Sequence, residues 1–465
     1  MTGKWLVVPL LGLTLLICGC QGLQPAPAGG GGGGVTTGGG TAASLQSINH
    51  IVFMLQENRS FDSYFGQLPA YWQANGFPTQ QFDGLPAGSS NPSFDGLSTV
   101  SAYHVQTECF ADLSPSWNES HVDRNRQHPN SSTTATMDGY VFTAATYAQN
   151  PFPGESTGGD TEGIRAMGYY DGTDLNYYYF MASNFATSDR WFSPVMSRTP
   201  PNRLYLLAAT SAGHAYPPTT TFTNKTIFDL LDAAGVSWKV YETDPAGSYI
   251  NMFEPFASSH AANIVPVSQY LSDVQAGTLP SVALIESGYS SGRDEHPNNN
   301  VQTGAAYVAS LINPLMSSPS WKDSVFILTF DEGGGTFDHV PPQPAVQPDG
   351  ILPSDLQPTD ICAGSTDDIC DFKFTGFRVP LLVISPYSKK NYVSHTAADY
   401  TAILKLIETR FKLPSLTNRD AAQVNASGDA MMTEFFDFTN VPWATPPTNI
   451  PVQSTSGVCD FTKLQ

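Results

Sequence analysis

Two acids stand side by side at Asp331-Glu332, directly after the apolar run Val325 to Phe330 and directly before Gly333-Gly334-Gly335. Adjacent carboxylates repel unless a cation lies between them, and glycines let backbone come close to a ligand. A second pair of hard oxygens, Glu57-Asn58, follows another apolar run, Ile51 to Leu55. Carboxylate and amide oxygens suit a divalent ion such as Ca²⁺, Mg²⁺ or Mn²⁺. An alcohol stands at Thr199 in Ser193-Pro194-Val195-Met196-Ser197-Arg198-Thr199-Pro200-Pro201-Asn202-Arg203, where the prolines predict a helix start. Backbone N–H groups at such a start face an incoming phosphate. The hydroxyl becomes a nucleophile once a metal or base lowers its pKa. His296, in Asp294-Glu295-His296-Pro297, has the side chain to protonate a leaving alcohol. Each has a plainer alternative: solvated acids before a glycine turn, a polar strand-to-helix turn, a helix cap, and an inert loop histidine.

The elements that must position these groups are legible as strands and helices in alternation. Ile51 to Leu55 is β-branched and aromatic, so it reads as a buried strand. Val236–Tyr241, Val282–Glu286, Val325–Phe330 and Val379–Ile384 read the same way. Helices are predicted over 174–188, over Thr226–Gly235 with Thr226 as cap, over Val301–Met316 and over Tyr400–Phe411. Strands separated by helices of this length imply an α/β fold, a mostly parallel central sheet with helices on both faces. Ligands in such sheets sit beyond the carboxyl ends of the strands, which is where Glu57, His296 and Asp331 fall. Between 67 and 150 the chain is rich in Ser, Asn, Pro and Gly and is expected to be irregular with short helices.

The run Ile48 to Asp62, the Thr199-Pro200-Pro201-Asn202-Arg203 segment, Asp294-Glu295-His296-Pro297 and Asp331-Glu332-Gly333 together resemble the bacterial phosphoesterase family. That family includes phosphatidylcholine-type phospholipases C and related acid phosphatases. The resemblance covers roughly Ile48 to Asp420. It implies an alkaline-phosphatase-like fold, Thr199 as the residue that attacks phosphorus, His296 in the site, and metal ligation by the Asp331-Glu332 pair. Asn202 and Arg203 match as supports for the loop or for phosphate charge. The family's Asp-Pro-x-His-x-Trp element reads Asp112-Leu113-Ser114-Pro115-Ser116-Trp117 here, so its histidine is missing and His121 is the candidate replacement. His339, after Asp331-Glu332, is expected to fix the loop from behind the ligands, and His395 is a further candidate near the site.

Composition narrows the partners. Of 465 residues 41 are acidic and 21 basic, a net charge of −20. That argues against nucleic acid, whose phosphates are bound by Lys and Arg, and against adsorption to anionic lipid. Lys4 followed by the apolar run Trp5 to Ile17 reads as a signal segment, and Ile17-Cys18-Gly19-Cys20 as a lipidation signal with Cys20 as the modified residue. An ordinary cleaved signal is the alternative. Residues 21–44, Gly- and Pro-rich, read as a flexible tether, and 45–465 as the phosphoesterase domain. Four cysteines remain. Cys362 and Cys370 close a short loop, which leaves Cys109 with Cys459; a zinc site is the rival, disfavoured because no C-x2-C spacing occurs.

The combined expectation is an exported, lipid-anchored hydrolase of phosphate esters, most simply a phospholipase C. One divalent ion would be held by Glu57, Asn58, Asp331, Glu332 and the Thr199 oxygen, and the reaction would pass through a phosphothreonine. The alternatives are an acid phosphatase of the same family and a surface lipoprotein that binds phosphoesters without turning them over.

Overall fold

β1 (His50–Gln56) lies in the middle of an eight-stranded sheet, and six of its seven residues are buried. The computed structural model describes residues 44–150 and 159–465. The expected signal segment, Cys20 and all of the tether but its last residue lie outside them. In chain order the remaining strands of this sheet are β2 (Ala186–Ser188), β3 (Trp238–Glu242), β4 (Ile264–Pro266), β5 (Val282–Glu286), β6 (Ser324–Phe330), β7 (Leu381–Ile384) and β8 (Tyr392–Ser394). The spatial order is β8-β2-β7-β6-β1-β5-β3-β4. β1 pairs in parallel with both β5 and β6, and the run continues in parallel through β3 to β4. β7 enters antiparallel between β6 and β2, so the sheet is mixed at that side. All seven residues of β6, all five of β5 and all four of β7 are buried. A strand with no solvent face must be covered on both sides, which is why these runs read as nearly continuous apolar stretches.

The helices that concern the site are α1 (Phe61–Phe65), α2 (Trp117–Arg124), α3 (Asn176–Asn184), α4 (Thr199–Ala208), α5 (Ile227–Ala233), α6 (Val301–Met316) and α7 (Thr401–Phe411). α5 is capped by Thr226, whose side chain accepts from Asp229 N–H while the Asp229 carboxylate accepts from Thr226 N–H. The helix expected over 174–188 is a correction: it ends at Asn184, and Ala186–Ser188 leaves it to become β2. Thr187 Oγ1 donates to Leu381 O at 2.7 Å, so pairing with β7 and β8 outweighs helix continuation. The cysteines are joined as Cys109–Cys459 and Cys362–Cys370.

Register sets the site. Leu55 pairs with Glu286 and Gln56 with Phe330, so three neighbouring parallel strands end level. The next residues, Glu57, Ser287 and Asp331, therefore emerge at one edge, the carboxyl edge where open sheets bind ligands.

Candidate active site

Asp331 N–H donates to Gln56 O at 2.9 Å, the last rung between β6 and β1. Beyond it both chains turn toward each other. Asn58 takes a left-handed conformation, φ 61°, and its N–H donates to Asp331 Oδ1 at 2.9 Å. Gly334 also has positive φ, 65°, and a Cβ there would fall 2.1 Å from Asn58 O. Only glycine permits this approach. The Gly334 N–H in turn holds Glu332 Oε2 at 2.5 Å.

Thr199 opens α4 and is buried with its hydroxyl donating to Glu57 Oε2 at 2.9 Å. Asn202, one turn on, fastens the preceding loop: its side chain donates to Ser197 O at 2.7 Å and Val195 O at 3.2 Å, and accepts from Val195 N–H at 3.2 Å. Arg203 is wholly buried. Its Nη2 donates to Glu57 Oε1 and, at 3.0 Å, to Leu55 O, and Nη1 lies 3.5 Å from Glu286 Oε2. Arg203 thus fixes Glu57 from behind and is spent on that carboxylate.

His296 leaves the end of β5 by a loop held in place from below. Glu57 N–H donates to Asp294 O at 2.8 Å, and Asp294 Oδ2 holds His296 Nδ1 at 2.8 Å. Burial disfavours the imidazolium, but the Asp294 bond and the charges of Glu57, Asp294 and Asp112 outweigh it, and the His296 pKa is pushed up to about 9. Glu295 beside it has φ 69° and is fully buried, receiving Tyr64 Oη at 2.8 Å, Tyr178 Oη at 2.5 Å and Gln56 Nε2 at 2.9 Å. Burial lifts its carboxyl to about 7 against those three donors. Gly304 on α6 leaves room for it, since a Cβ there would meet Glu295 Cγ at 2.1 Å.

These groups open onto a cleft of about 340 Å³ lined by Arg198, Thr199, Pro200, Pro217, Tyr249, Tyr289 and His296. A larger cavity of about 1320 Å³, bordered by Tyr103, His104 and Lys463, holds none of the motif residues. Chemistry, not size, identifies the smaller one as the site.

The oxygens around Thr199 fit a cation. Asn58 Oδ1, Asp331 Oδ2 and Glu332 Oε1 are buried without a hydrogen-bond partner. Burial first, and then the Asp331 charge, push the Glu57 and Glu332 carboxyls well above their ordinary values. Unpartnered buried acids are costly unless paired or bound to metal. Among the described residues, the two places where three His or carboxylate atoms come within 4.8 Å of one another lie elsewhere. At Asp62, Asp338 and His339 the charge is already met by Arg378, which donates to Asp62 Oδ1 and Asp338 Oδ1 at 2.9 Å each. At His104, Asp171 and Asp174 the imidazole lies 2.8 Å from Asp174. The orphaned oxygens of the Glu57 to Glu332 group therefore make the better cation site.

Glu57, Asn58, Thr199, Arg203, His296, Asp331 and Glu332 come together. Three other histidines do not line the cleft. His121, on α2, is a correction: it is fully buried against Trp117, with Nδ1 2.7 Å from Trp117 O and Nε2 3.3 Å from Ile369 O, so it does not replace the missing histidine. His339 lies between Asp62 (2.6 Å) and Asp83 (3.1 Å) and fixes its loop. His395 is held by Asp189 at 2.9 Å. Sequence reasoning missed Arg198, Tyr249 and Tyr289 as lining residues. Arg198 had one signal, a base next to the candidate nucleophile; the tyrosines had none. Arg59 was missed too: its Nε donates to Glu295 O at 2.9 Å, and its guanidinium lies among the rings of Phe110, Tyr64 and Tyr170 at 5.0–5.6 Å.

A phosphoesterase family model matches residues 48–414. Phospholipase C A of Mycobacterium tuberculosis is 31% identical over 443 residues, covering 87% of this chain and 80% of that protein. Non-specific phospholipase C1 of Arabidopsis thaliana is 28% identical over 400 residues, covering 80% of this chain and 69% of its own. A solved protein of the alkaline phosphatase superfamily from Vibrio parahaemolyticus superposes with a TM-score of 0.33 at 11% identity, covering 82% of each chain.

Proposed function

The chain belongs to the phosphoesterase family, and on that premise we propose that it is a phospholipase C that splits phospholipid phosphodiesters through a phosphothreonine at Thr199. One observation carries the reading: the buried Thr199 hydroxyl, 2.9 Å from Glu57 Oε2, lines the same cleft as His296. Phospholipid is the favoured substrate because relatives at 28–31% identity over most of the chain are named phospholipases C.

Thr199 Oγ1 attacks phosphorus, and its proton passes along the existing hydrogen bond to Glu57. The phosphorus–oxygen bond to the glyceride breaks, and the leaving oxygen takes a proton from His296 Nε2, while Asp294 holds Nδ1. Water then attacks the phosphothreonine and gives its proton to the now neutral His296. Thr199 recovers its own from Glu57. Arg198 on the cleft wall faces the phosphoryl charge. Glu57, Asn58, Asp331, Glu332 and the Thr199 oxygen would hold one divalent ion. Bound there, it supplies charge neutralisation at the phosphoryl oxygens and acidifies the hydroxyl.

Export with a lipid anchor at Cys20 is part of the reading, supported by the apolar run Trp5 to Ile17 and the cysteine that follows it. Membrane fractionation of Cys20→Ser tests it, with release into the soluble fraction expected. Chromogenic phosphodiester and phosphomonoester substrates, with and without a chelator, test the reaction. Chelator-sensitive diester turnover is expected. Turnover confined to the monoester would make the protein an acid phosphatase, and no turnover of either would make it a binding protein.

A further inference from the structure

Eight large apolar side chains are exposed among the described residues, and three of them, Val346, Ile351 and Leu352, lie on one short turn at 46%, 41% and 58% exposure. The turn is not loose. Gln347 Oε1 accepts from Asp349 N–H and Gly350 N–H, and its Nε2 donates to Ile351 O at 2.9 Å. Asp349 Oδ1 accepts from Ile351 N–H at 2.9 Å, and Asp349 Oδ2 from Thr210 Oγ1 at 2.5 Å. Gly350, with φ 80°, makes the bend. The backbone is tied by these bonds while the three apolar side chains stay about half exposed, so their exposure is built into the turn.

The turn is also coupled to the cleft. Ile351 lies against Gly213, where a Cβ would fall 2.8 Å from Ile351 Cγ2, and Ser354 N–H donates to Gly213 O at 2.8 Å. Asp355 then takes Ala215 N–H at 2.9 Å and Tyr216 N–H at 3.2 Å. The next residue, Pro217, forms the cleft wall with Thr199. Ser197 Oγ closes the circuit by donating to Ala215 O at 2.5 Å. An exposed apolar cluster beside a functional cleft marks a contact surface. No Lys or Arg occurs between 346 and 352, and the chain carries a net charge of −20, so an anionic surface is disfavoured. No helix of the described residues is long and apolar enough to cross a membrane.

We propose that residues 346–352 form an interfacial loop that lays Val346, Ile351 and Leu352 into the surface of a zwitterionic phospholipid bilayer and so brings the cleft to its substrate. The proposal rests on the phospholipase reading above. Apolar side chains entering the acyl boundary supply the attraction, in the way an interfacial apolar face does, and the hydrogen-bonded turn holds them out without a cost of ordering on contact.

The test uses the full chain carrying Cys20→Ser, so that no lipid anchor contributes, and phosphatidylcholine vesicles with or without phosphatidylserine. The double variant Ile351→Ser with Leu352→Ser is expected to lower vesicle partition by roughly tenfold or more. Leu97→Ser, at a position 86% exposed on a separate turn, leaves it unchanged. Phosphatidylserine weakens partition. Hydrolysis of a soluble chromogenic diester by the double variant stays at the parent level. That assay reads the phospholipase proposal alone, while partition reads the loop alone. Equal partition of the parent and the double variant overturns the loop. So does a dimer that the double variant converts to monomer with partition unchanged, which would make a second copy of the chain the occupant.

Discussion

The Thr199 hydroxyl donates to Glu57 Oε2 at 2.9 Å across 142 residues of sequence. The bond joins the N-terminus of α4 to the end of β1, and Arg203, one turn along the same helix, holds the other oxygen of Glu57. Nucleophile and supporting base are thus presented by two successive turns of one helix to one carboxylate.

Thr199→Ala removes the attacking oxygen and one hydrogen bond but leaves the loop held by Asn202. Turnover is expected to fall by about three orders of magnitude or more, as for other lost nucleophiles, with thermal unfolding nearly unchanged. Thr199→Ser keeps the oxygen and retains partial activity. Rapid quenching of the parent enzyme traps phosphate on a peptide containing Thr199. Inversion at phosphorus would instead mean direct attack by water.

Arg203→Met deletes a buried cation and leaves Glu57 and Glu286 without their partner. Breaking a buried pair on one side costs about 3–5 kcal/mol. Urea unfolding at neutral pH is expected to show a loss of that order, and activity should vanish because Glu57 is no longer fixed. A loss below about 1 kcal/mol would show that the pair is not desolvated as the structure has it.

Asp331→Asn and Glu332→Gln each remove a charge from the orphaned oxygen set while keeping its shape. Metal content by elemental analysis and diester turnover are expected to fall together, and added divalent salt restores both in part. Normal metal content with normal turnover in either variant would remove that residue from the ligand set.

Glu408 tests pH linkage away from the cleft. Burial first, and then the neighbouring Asp420, raise its carboxyl to about 9, so it is protonated in the folded chain at neutral pH. The folded value lies above the unfolded one near 4.5, so the folded state binds the extra proton. Its contribution is full below about 4.5 and is lost as pH rises through about 9. Glu408→Gln mimics the protonated side chain. Relative to the parent it is expected to gain stability as pH rises above about 4.5, by up to about 1.4 kcal/mol per pH unit toward pH 9, and little near pH 4. A difference that does not change with pH would show the carboxyl ionised throughout.

Five of the sheet's eight strands are legible in the apolar pattern, together with the polar residues that follow β1 and β6. Val282–Glu286 and Val301–Met316 are the strand and helix that the apolar pattern draws, residue for residue. Short, nearly continuous apolar runs rich in β-branched residues favour strands covered on both faces. Glu57 and Asp331 are legible because each directly follows a buried strand, whereas Thr199 and His296 are singled out by their resemblance to the family's motifs. Which side chains meet is set by long-range packing that no local pattern encodes. Arg203 could equally have faced phosphate; its bonds to Glu57 and to Leu55 O turn it inward. His121 had the residue type and the approximate spacing for the site, but α2 buries it against Trp117, with Nε2 3.3 Å from Ile369 O. Short strands such as Ala186–Ser188 were hidden because three residues carry too little periodicity to outweigh the helix before them, and only their neighbours β7 and β8 make them strands. The cleft-lining Tyr249 and Tyr289 come from separate loops, 40 positions apart in the chain, and no local pattern encodes their meeting.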